Sequence, residues 1–546
     1  MRNLLTLSTG LLLLATTAAC DSAGPAAAKE PPILKVTSPA RSTVQDHAGA
    51  VMVSGTVTPN ANGDPVTQVL VNNVAATVGA NGTFAAMIDV PEGATLIETV
   101  ARDAAGATIT DTRAVQAGQL RPVGTDVPGA IAIAMSSDAF TKISAAAGPI
   151  LKGLDLAAMI APLQPMVSVG TDCNGAQLSV DGVKFTDVKI ALSPVAGGLA
   201  FTAELDGIDV PAHADYGLIC VDATTSVRVQ AAKVVVAGTL SVTPDGMNGF
   251  TTKLNNPDVQ ITGLNVTASG LPGKILSLFD FNSVIGLVAG KAAELAMNPL
   301  MNQALGALGG PQTIELFGRQ LTMQMDPSAI AFEAGGASLT MSLKVLLGGS
   351  EQSPGFIFTD NGAPALDPTQ GFQLGIADDL ANEMLAELSQ IGMLNLKVPA
   401  EGGTFEEAQI QMNLAPMISA DASDGQMRLV LGDMYATFLH NGVAVGKAAI
   451  NAKVDLKIGP VSNGYGVALA LGIPEIHVDP LDDVANTTGL DTESLGRAVA
   501  ACLGSQIEAI TKLLVAIPLP QVAGLQVRNL SIGSDAGYVV LRGQFD

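Results

Sequence analysis

The side chains that most often carry out catalysis are few in this sequence and lie far apart. Its histidines stand singly, as His47, His213, His440 and His477. None is spaced from a cysteine, a carboxylate or another histidine as metal ligands usually are. The sequence also contains no Gly-x-Ser-x-Gly elbow, no phosphate-binding loop and no dinucleotide-binding fingerprint. We therefore expect no catalytic residue, no metal site and no cofactor, and we predict that the protein is not an enzyme.

The densest group of acidic residues lies in the segment HVDPLDDVANTTGLD, which holds Asp479, Asp482, Asp483 and Asp491. Two carboxylates act as general acid and base when their surroundings separate their pKa values. A polar loop ahead of a helix, with Asp491 as the N-cap, explains the same residues without any chemistry. We expect this structural role.

The composition excludes some partners. The chain has 50 acidic against 27 basic residues, a net charge of −23, and no basic run, so we expect no nucleic-acid partner. Hydrophobic residues make up 48% of it, yet aromatic residues only 3%, with no tryptophan. A sugar-binding accessory protein is disfavoured because sugars usually need aromatic platforms. The aliphatic content fits either a large core or the lining of a cavity, and composition does not separate the two.

The N-terminus reads MRNLLTLSTGLLLLATTAAC, with Arg2 ahead of an apolar run and small residues before Cys20. This pattern predicts a signal peptide over 1–19. It resembles a bacterial lipobox, except that Thr17 stands where leucine is usual; an ordinary secretory peptide is the alternative. The resemblance implies a lipid anchor on Cys20, a flexible tether over 20–32 and a place in the cell envelope of a Gram-negative-type bacterium. The anchor would hold the protein on the periplasmic face, the outer membrane or the cell surface.

Three further cysteines follow. Cys173 and Cys220 lie in strand-like segments, and in an exported protein we predict that they form a disulfide. Cys502 falls within a helical pattern, where we expect a small buried hydrophobic residue.

Residues 33–118 show short alternating runs such as VMVSGTVTP and TFAAMIDV, separated by the turn signals NANGDP, GANG and PEG. Five to seven strands at this spacing predict a β-sandwich. The segment resembles bacterial immunoglobulin-like repeats, in which such a module is a spacer or an adhesion unit.

Residues 119–546 show one plan twice, in modules 119–350 and 351–546: strand, helix, sheet, helix, sheet. The second module opens with a helix after Asp378 and Asp379, which we expect to cap it. One face of that helix is apolar, and the other carries Asn382, Glu383 and Glu387.

Two segments resemble the tubular lipid-binding superfamily, that of the bactericidal/permeability-increasing protein. They are PGAIAIAMSSDAF (128–140) and IPLPQVAGLQVRNLSIGSDAGYVVLRGQF (517–545). The resemblance implies an α+β and all-β multidomain fold. In it, the sandwich precedes two tandem modules, each a bent antiparallel sheet wrapped around a long helix. It also implies that the protein binds or transfers lipid, with acyl chains in the apolar seam between helix and sheet.

The residues expected to contact lipid lie on the apolar faces of the predicted helices. They are Phe140, Ile143, Ile150, Leu276, Phe279, Ile285, Leu380, Met384, Leu385, Leu388, Leu503 and Ile507. Because the chain is acidic, we expect a neutral or zwitterionic lipid or another apolar small molecule. Plain core packing is the alternative for these residues, and a surface adhesion or scaffold role is the alternative for the protein. The sequence predicts no particular protein partner.

Overall fold

The computed structural model describes residues 30–61, 63–153, 155–171, 174–218, 220–246, 249–269, 279–305, 312–316, 318–360, 362–399, 404–419, 427–460, 466–481, 484–488, 494–497, 499, 517–518 and 527–545. The described chain divides into two compact units. One comprises the residues up to Ser38 with Val53–Ala86 and Thr99–Asp111; the other comprises Pro39–Met52, Met87–Glu98 and the chain from Thr112 onwards. The domain boundaries given above stay predictions.

The first described strands are β1 (Ile33–Ser38), β2 (Thr43–Gln45), β3 (Gly49–Thr58), β4 (Val66–Val71), β5 (Val74–Ala75), β6 (Thr77–Val78), β7 (Thr83–Val90), β8 (Gly93–Asp103), β9 (Thr108–Ala117) and β10 (Gln119–Arg121). Nine of them form two sheets, ordered β1-β3-β7-β6 and β2-β9-β8-β4-β5. In β7, buried Phe84, Ala86, Ile88 and Val90 alternate with exposed residues, as expected of a strand with one face in a core.

The next strands belong to the second unit. They are β11 (Val127–Ser136), β12 (Val167–Thr171), β13 (Asn174–Val180), β14 (Asp187–Val195), β15 (Gly198–Leu218), β16 (Val221–Pro244), β17 (Phe250–Thr262), β18 (Asn265–Ala268), β19 (Gln312–Leu316), β20 (Arg319–Glu333) and β21 (Gly336–Leu347). Strands β12-β13-β15-β16-β17 form a sheet in which β14 also pairs with β15, and β18 with β16.

The remaining strands are β22 (Phe356–Phe358), β23 (Phe372–Ala377), β24 (Leu396–Pro399), β25 (Glu407–Gln411), β26 (Met417–Ser419), β27 (Met427–His440), β28 (Val443–Pro460), β29 (Gly466–Leu471), β30 (Glu475–Pro480), β31 (Ile517–Pro518), β32 (Val527–Asp535) and β33 (Tyr538–Phe545). A second sheet runs β24-β25-β27-β28-β29-β31, with β26 beside β27 and β30 beside β28. A third runs β19-β20-β21-β11-β23-β33-β32, and β10 pairs with β22. The third sheet therefore joins strands of both predicted modules, because β11 pairs with β21 on one side and β23 on the other.

The described helices are α1 (Ser137–Lys152), α2 (Leu156–Ile160), a 3₁₀ turn at Ala161–Leu163, α3 (Phe281–Leu305) and α4 (Asp378–Gln390). Helix α1 packs against β14, and α3 packs against β17 and β16. No helix within the described ranges is long and apolar enough to cross a membrane.

The predicted fold class is wrong. The described residues are mostly strand, 62% against 13% helix, and no long helix among them is wrapped by a sheet. In α3, Val284 and Val288 are buried while Asn282, Ser283 and Leu287 are exposed, so this helix covers one side of a sheet and keeps its other side in solvent. Much of the chain instead enters very long strands; β15 and β16 have 21 and 24 residues. The long helix predicted from Asp491 lies largely outside the described residues.

Helix α4 also differs from its expected orientation. An amphipathic pattern normally places the polar face in solvent. Here the polar residues Asn382, Glu383 and Glu387 are buried, while the leucines and methionine of the opposite face are half-buried. The N-cap residue is Ala377, without a side-chain cap, so the predicted capping by the two aspartates is wrong.

Candidate functional site

The largest apolar cluster of the second unit encloses a cavity between α3 and the sheet of β13, β15 and β16. Strand β15 supplies six of its lining residues. At Gly207, where φ is +61°, the alternation of buried residues along β15 changes from odd to even numbers. A Cβ there would lie 2.6 Å from the Thr186 hydroxyl oxygen, so glycine suits both the conformation and the space. Residues on both sides of this change therefore face the cavity.

Helix α3 closes the cavity with one face, which includes Val284, Ile285, Val288 and Met297. Its first turn is fixed by Asp280, whose carboxylate accepts hydrogen bonds from the Ser283 hydroxyl at 2.6 Å and the Asn282 backbone N–H at 3.1 Å. These hydrogen bonds, that of the Ser283 hydroxyl foremost, hold the pKa of Asp280 below its usual range. Such capping sets where the helix begins, and so which of its faces meets the sheet.

The cavity holds about 770 Å³ of space between atoms, including its opening to solvent. All of its lining side chains are apolar, and most are small or branched aliphatics. They are Leu151, Leu156, Leu178, Val180, Val183, Phe201, Ala203, Leu205, Ile208, Val210, Ala212, Val229, Val284, Ile285, Val288, Ala289, Ala293 and Met297. Because these side chains carry no polar or titratable group, they offer only apolar contacts to whatever enters the cavity.

The opposite face of the same sheet carries paired charges. Arg228 binds Asp209 through two hydrogen bonds of 2.7 Å, which lower the pKa of that carboxyl, and Lys233 pairs with Glu204. The sheet is thus apolar towards α3 and ionic on its other side. Because solvent and salt screen pairs this exposed, they contribute little to stability.

The predicted lipid contacts fall into three groups. Ile285 lines the cavity, whereas Phe140, Ile143 and Phe279 belong to the same apolar cluster without lining it. Leu380, Met384 and Leu388 pack against a separate cluster around Leu343 and Val345, and Leu385 is half-buried. Leu276, Leu503, Ile507 and the side chain of Ile150 lie outside the described residues.

The contribution of the strands to the cavity lining was not predicted from the sequence. All of the predicted ligand contacts lie on helical patterns, whereas β13, β15 and β16 supply nine of the eighteen lining residues. The signal was present in the stretch AFTAELDGIDVPAHA, where small aliphatic residues recur at every second position on either side of a glycine.

The remaining candidate residues lie elsewhere. His213 contacts Asp181 at 2.6 Å, and the described residues contain no group of three or more potential ligands that could hold a metal. Cys220 takes part in a disulfide. Its predicted partner Cys173 lies outside the described residues, as do Cys20 and Cys502, so the pairing stays a prediction.

Of the acidic segment before the predicted second helix, Asp479 is described. It accepts hydrogen bonds from Arg41 at 3.2 Å and from the Thr112 backbone N–H at 3.0 Å, within a buried network that also holds Asp433. Asp479 therefore has a structural role. Asp482, Asp483 and Asp491 lie outside the described residues.

Comparison with known proteins gives a family match for the N-terminal region. The model of glucodextranase domain B matches residues 32–119, which confirms the immunoglobulin-like part of the prediction. No curated protein matches the chain. Among solved structures, lipopolysaccharide binding protein is similar over 77% of this chain and 99% of its own, with 13% identity and a TM-score of 0.37. P47 of Clostridium botulinum E1 is similar over 77% of this chain and 100% of its own, with 9% identity and a TM-score of 0.27. P47 from Clostridium botulinum A2 is similar over 78% of this chain and 98% of its own, with 9% identity and a TM-score of 0.25.

Proposed function

We propose that the protein is a non-enzymatic carrier that binds the acyl chain of a lipid, or another apolar small molecule, in the cavity beneath α3. The observation that carries this proposal is the lining, in which all eighteen side chains are apolar. Ligand sites for hydrocarbon are concave and lined mostly by apolar side chains, and this lining has that character.

Binding would be driven by removal of hydrocarbon from water. Each buried methylene contributes about 0.8 kcal/mol, so a chain of about sixteen carbons would gain on the order of 10 kcal/mol. The costs of association and of ordering the chain reduce this gain. Micromolar binding, about −8 kcal/mol, therefore requires most of the chain to be buried.

The same proposal places the protein at a membrane of the bacterial cell envelope. Its support is the sequence around Cys20, which resembles a lipobox; a lipid on this cysteine would tether the carrier beside the bilayer that it serves. The net charge of −23 favours a neutral or zwitterionic headgroup over an anionic one, since the headgroup would stay outside the apolar cavity.

Photoaffinity labelling of the full chain tests where a ligand binds. A phosphatidylcholine whose acyl chain carries a diazirine near its methyl end is bound, cross-linked and mapped by peptide mass spectrometry. We expect labels on lining residues such as Phe201, Val284 and Val288. Leu287 is the internal control, because it neighbours Val288 on α3 but is 44% exposed and should stay unlabelled.

Native mass spectrometry of the purified protein provides the second measurement. A co-purified lipid, or uptake of one zwitterionic phospholipid per protein chain after delipidation, is the expected result. A chain that carries no lipid, takes up none and shows no label at the cavity would contradict the carrier role. An adhesion or scaffold role, which the immunoglobulin-like region would support, would then be preferred.

A further inference from the structure

Helix α4 carries a stripe of carboxyl groups on its buried face. Asp379, Glu383 and Glu387 follow one another at intervals of four residues, so they lie above one another along one side of the helix. All three are nearly or fully inaccessible, with exposures of 2%, 0% and 0%. Buried carboxyl groups are normally paired with a cation, because isolated charges are costly to remove from water.

Each carboxyl group instead fastens α4 to a different chain segment through neutral donors. Asp379 accepts the Thr359 backbone N–H at 2.8 Å, and Glu383 accepts the Gly124 backbone N–H at 2.8 Å. Glu387 accepts the Leu347 backbone N–H at 3.0 Å and the Ser350 hydroxyl at 3.1 Å. These contacts join α4 to the segments after β10, β21 and β22.

The second oxygen of both glutamates has no partner. Oε2 of Glu383 and Oε2 of Glu387 are buried and make no hydrogen bond. An ionised carboxylate would leave a charged oxygen unsatisfied there, at considerable cost. A protonated carboxyl group removes the charge and keeps Oε1 as the acceptor that the backbone N–H groups require. The geometry thus suits the neutral acid.

The surrounding charges add to this preference. The negative charge of Asp126, ahead of β11, raises the pKa of Glu383. That of Glu351, after β21, raises the pKa of Glu387. The charge of Asp378 raises the pKa of Asp379, and Arg121, the last residue of β10, is the opposing cation. On the other elements against the helix, Tyr538 of β33 is neutral and β26 presents the Ile418 backbone, which bonds Asn382. Asp360, after β22, is a further acid near Tyr538.

We propose that α4 is a proton-dependent latch, docked on the ends of β21 and β22 while Glu383 and Glu387 are protonated and loosened when they ionise. This device is separate from the cavity, because α4 packs on another apolar cluster. Ionisation would loosen the helix because no hydrogen-bond donor lies beside the buried Oε2 atoms to stabilise a negative charge there.

The direction of the pH dependence follows from burial. Burial raises the pKa of Glu383 to about 8 and that of Asp379 to about 7, and it raises the pKa of Glu387 as well. In the released helix these groups would titrate near their usual values, 4.5 for glutamate. The docked state therefore holds more protons, and docking weakens as the pH rises from about 4.5 towards 8.

Hydrogen–deuterium exchange of the full chain tests the latch. Protection of the peptide spanning 378–390 is measured at pH 6 and pH 8.5, and each value is corrected for the intrinsic exchange rate. Glu383 alone should weaken docking by roughly ten- to two-hundredfold between these pH values. In E383Q/E387Q, whose amides mimic the neutral acid, this loss should disappear and leave the smaller dependence of Asp379, roughly tenfold. E333Q is the matched control: Glu333 is exposed at the end of β20 and is not among the groups that shift the pKa of the three buried carboxyls, so its removal should leave the pH dependence in place.

Two results would overturn the proposal. One is protection of the wild-type peptide that does not change with pH, a result that needs no variant to fold. The other is a folded E383Q/E387Q protein that loses protection as much as the wild type does. Should the double variant fail to fold, E383Q alone is measured, and its pH dependence must be weaker than that of the wild type.

Discussion

The substitution Ala212→Leu separates a true cavity from ordinary core packing. Ala212 lines the cavity from β15, whereas Ala214, two residues along the same strand, is fully buried in the same cluster and does not line it. Both variants therefore place a leucine on β15. In A212L it faces the free space of the cavity, and in A214L it faces packed atoms.

The expected effects have opposite signs. Leucine adds three carbons to alanine, and burying them in free space would contribute up to about 2 kcal/mol to the unfolding free energy of the ligand-free protein. The same change at Ala214 would overpack the cluster and cost about 1–3 kcal/mol. For the ligand, three displaced methylenes correspond to about 2 kcal/mol, or roughly a thirtyfold loss of affinity in A212L.

The assay combines urea unfolding of the delipidated variants with titration of a phosphatidylcholine that carries a fluorescent acyl chain. A rise in the unfolding midpoint together with weaker uptake in A212L, but not in A214L, is the expected pattern. If both variants lose stability equally and uptake is unchanged, the space beneath α3 is a packing imperfection, and the reasoning from its lining fails.

Three further changes have defined outcomes. Arg41→Met would lower the unfolding free energy by about 3–5 kcal/mol, because it leaves Asp433 buried without the guanidinium whose Nη1 lies 3.1 Å from Asp433 Oδ1. Chemical denaturation measures this loss, and Arg41→Lys should restore part of it. Gly336→Ala would cost about 3 kcal/mol or more in thermal unfolding, since its Cβ would stand 1.9 Å from a backbone oxygen, whereas Gly290→Ala, with open space around its Cβ, should be tolerated. Cys20→Ser would move the protein from the membrane to the soluble fraction on cell fractionation; unchanged membrane retention would contradict the proposed anchor.

Much of the local structure follows from residue patterns. The alternating runs predicted the strands of the N-terminal region, and the first helix in the plan predicted for 119–350 is found at Ser137–Lys152. The pairing of β11 with both β21 and β23 was not predictable. Periodicity indicates that a segment is a strand with a buried face, but it carries no information about which distant strand lies beside it.

The candidate sites were harder to predict than the strands. The cavity depends on strand residues brought together by the change of face at Gly207, and a one-dimensional pattern shows that change only as a break in alternation. On α4, the pattern distinguished an apolar from a polar face correctly. It did not reveal that the polar face is buried, because this depends on backbone N–H groups supplied by Gly124, Leu347 and Thr359, far away in the chain.

For the proposed carrier, the uniform lining of the cavity would also determine the kind of ligand selectivity. An apolar wall without hydrogen-bonding side chains would be stabilised by each methylene that it buries and would have no means of recognising a particular headgroup. It would exclude polar chains, because a hydroxyl or amide placed inside without a partner would cost roughly 2–7 kcal/mol. We therefore expect saturated and unsaturated chains to compete on nearly equal terms and a chain hydroxylated along its length to be rejected. Selection among headgroups has to come from the surface outside the cavity, where the acidic charge of this chain disfavours anionic lipids.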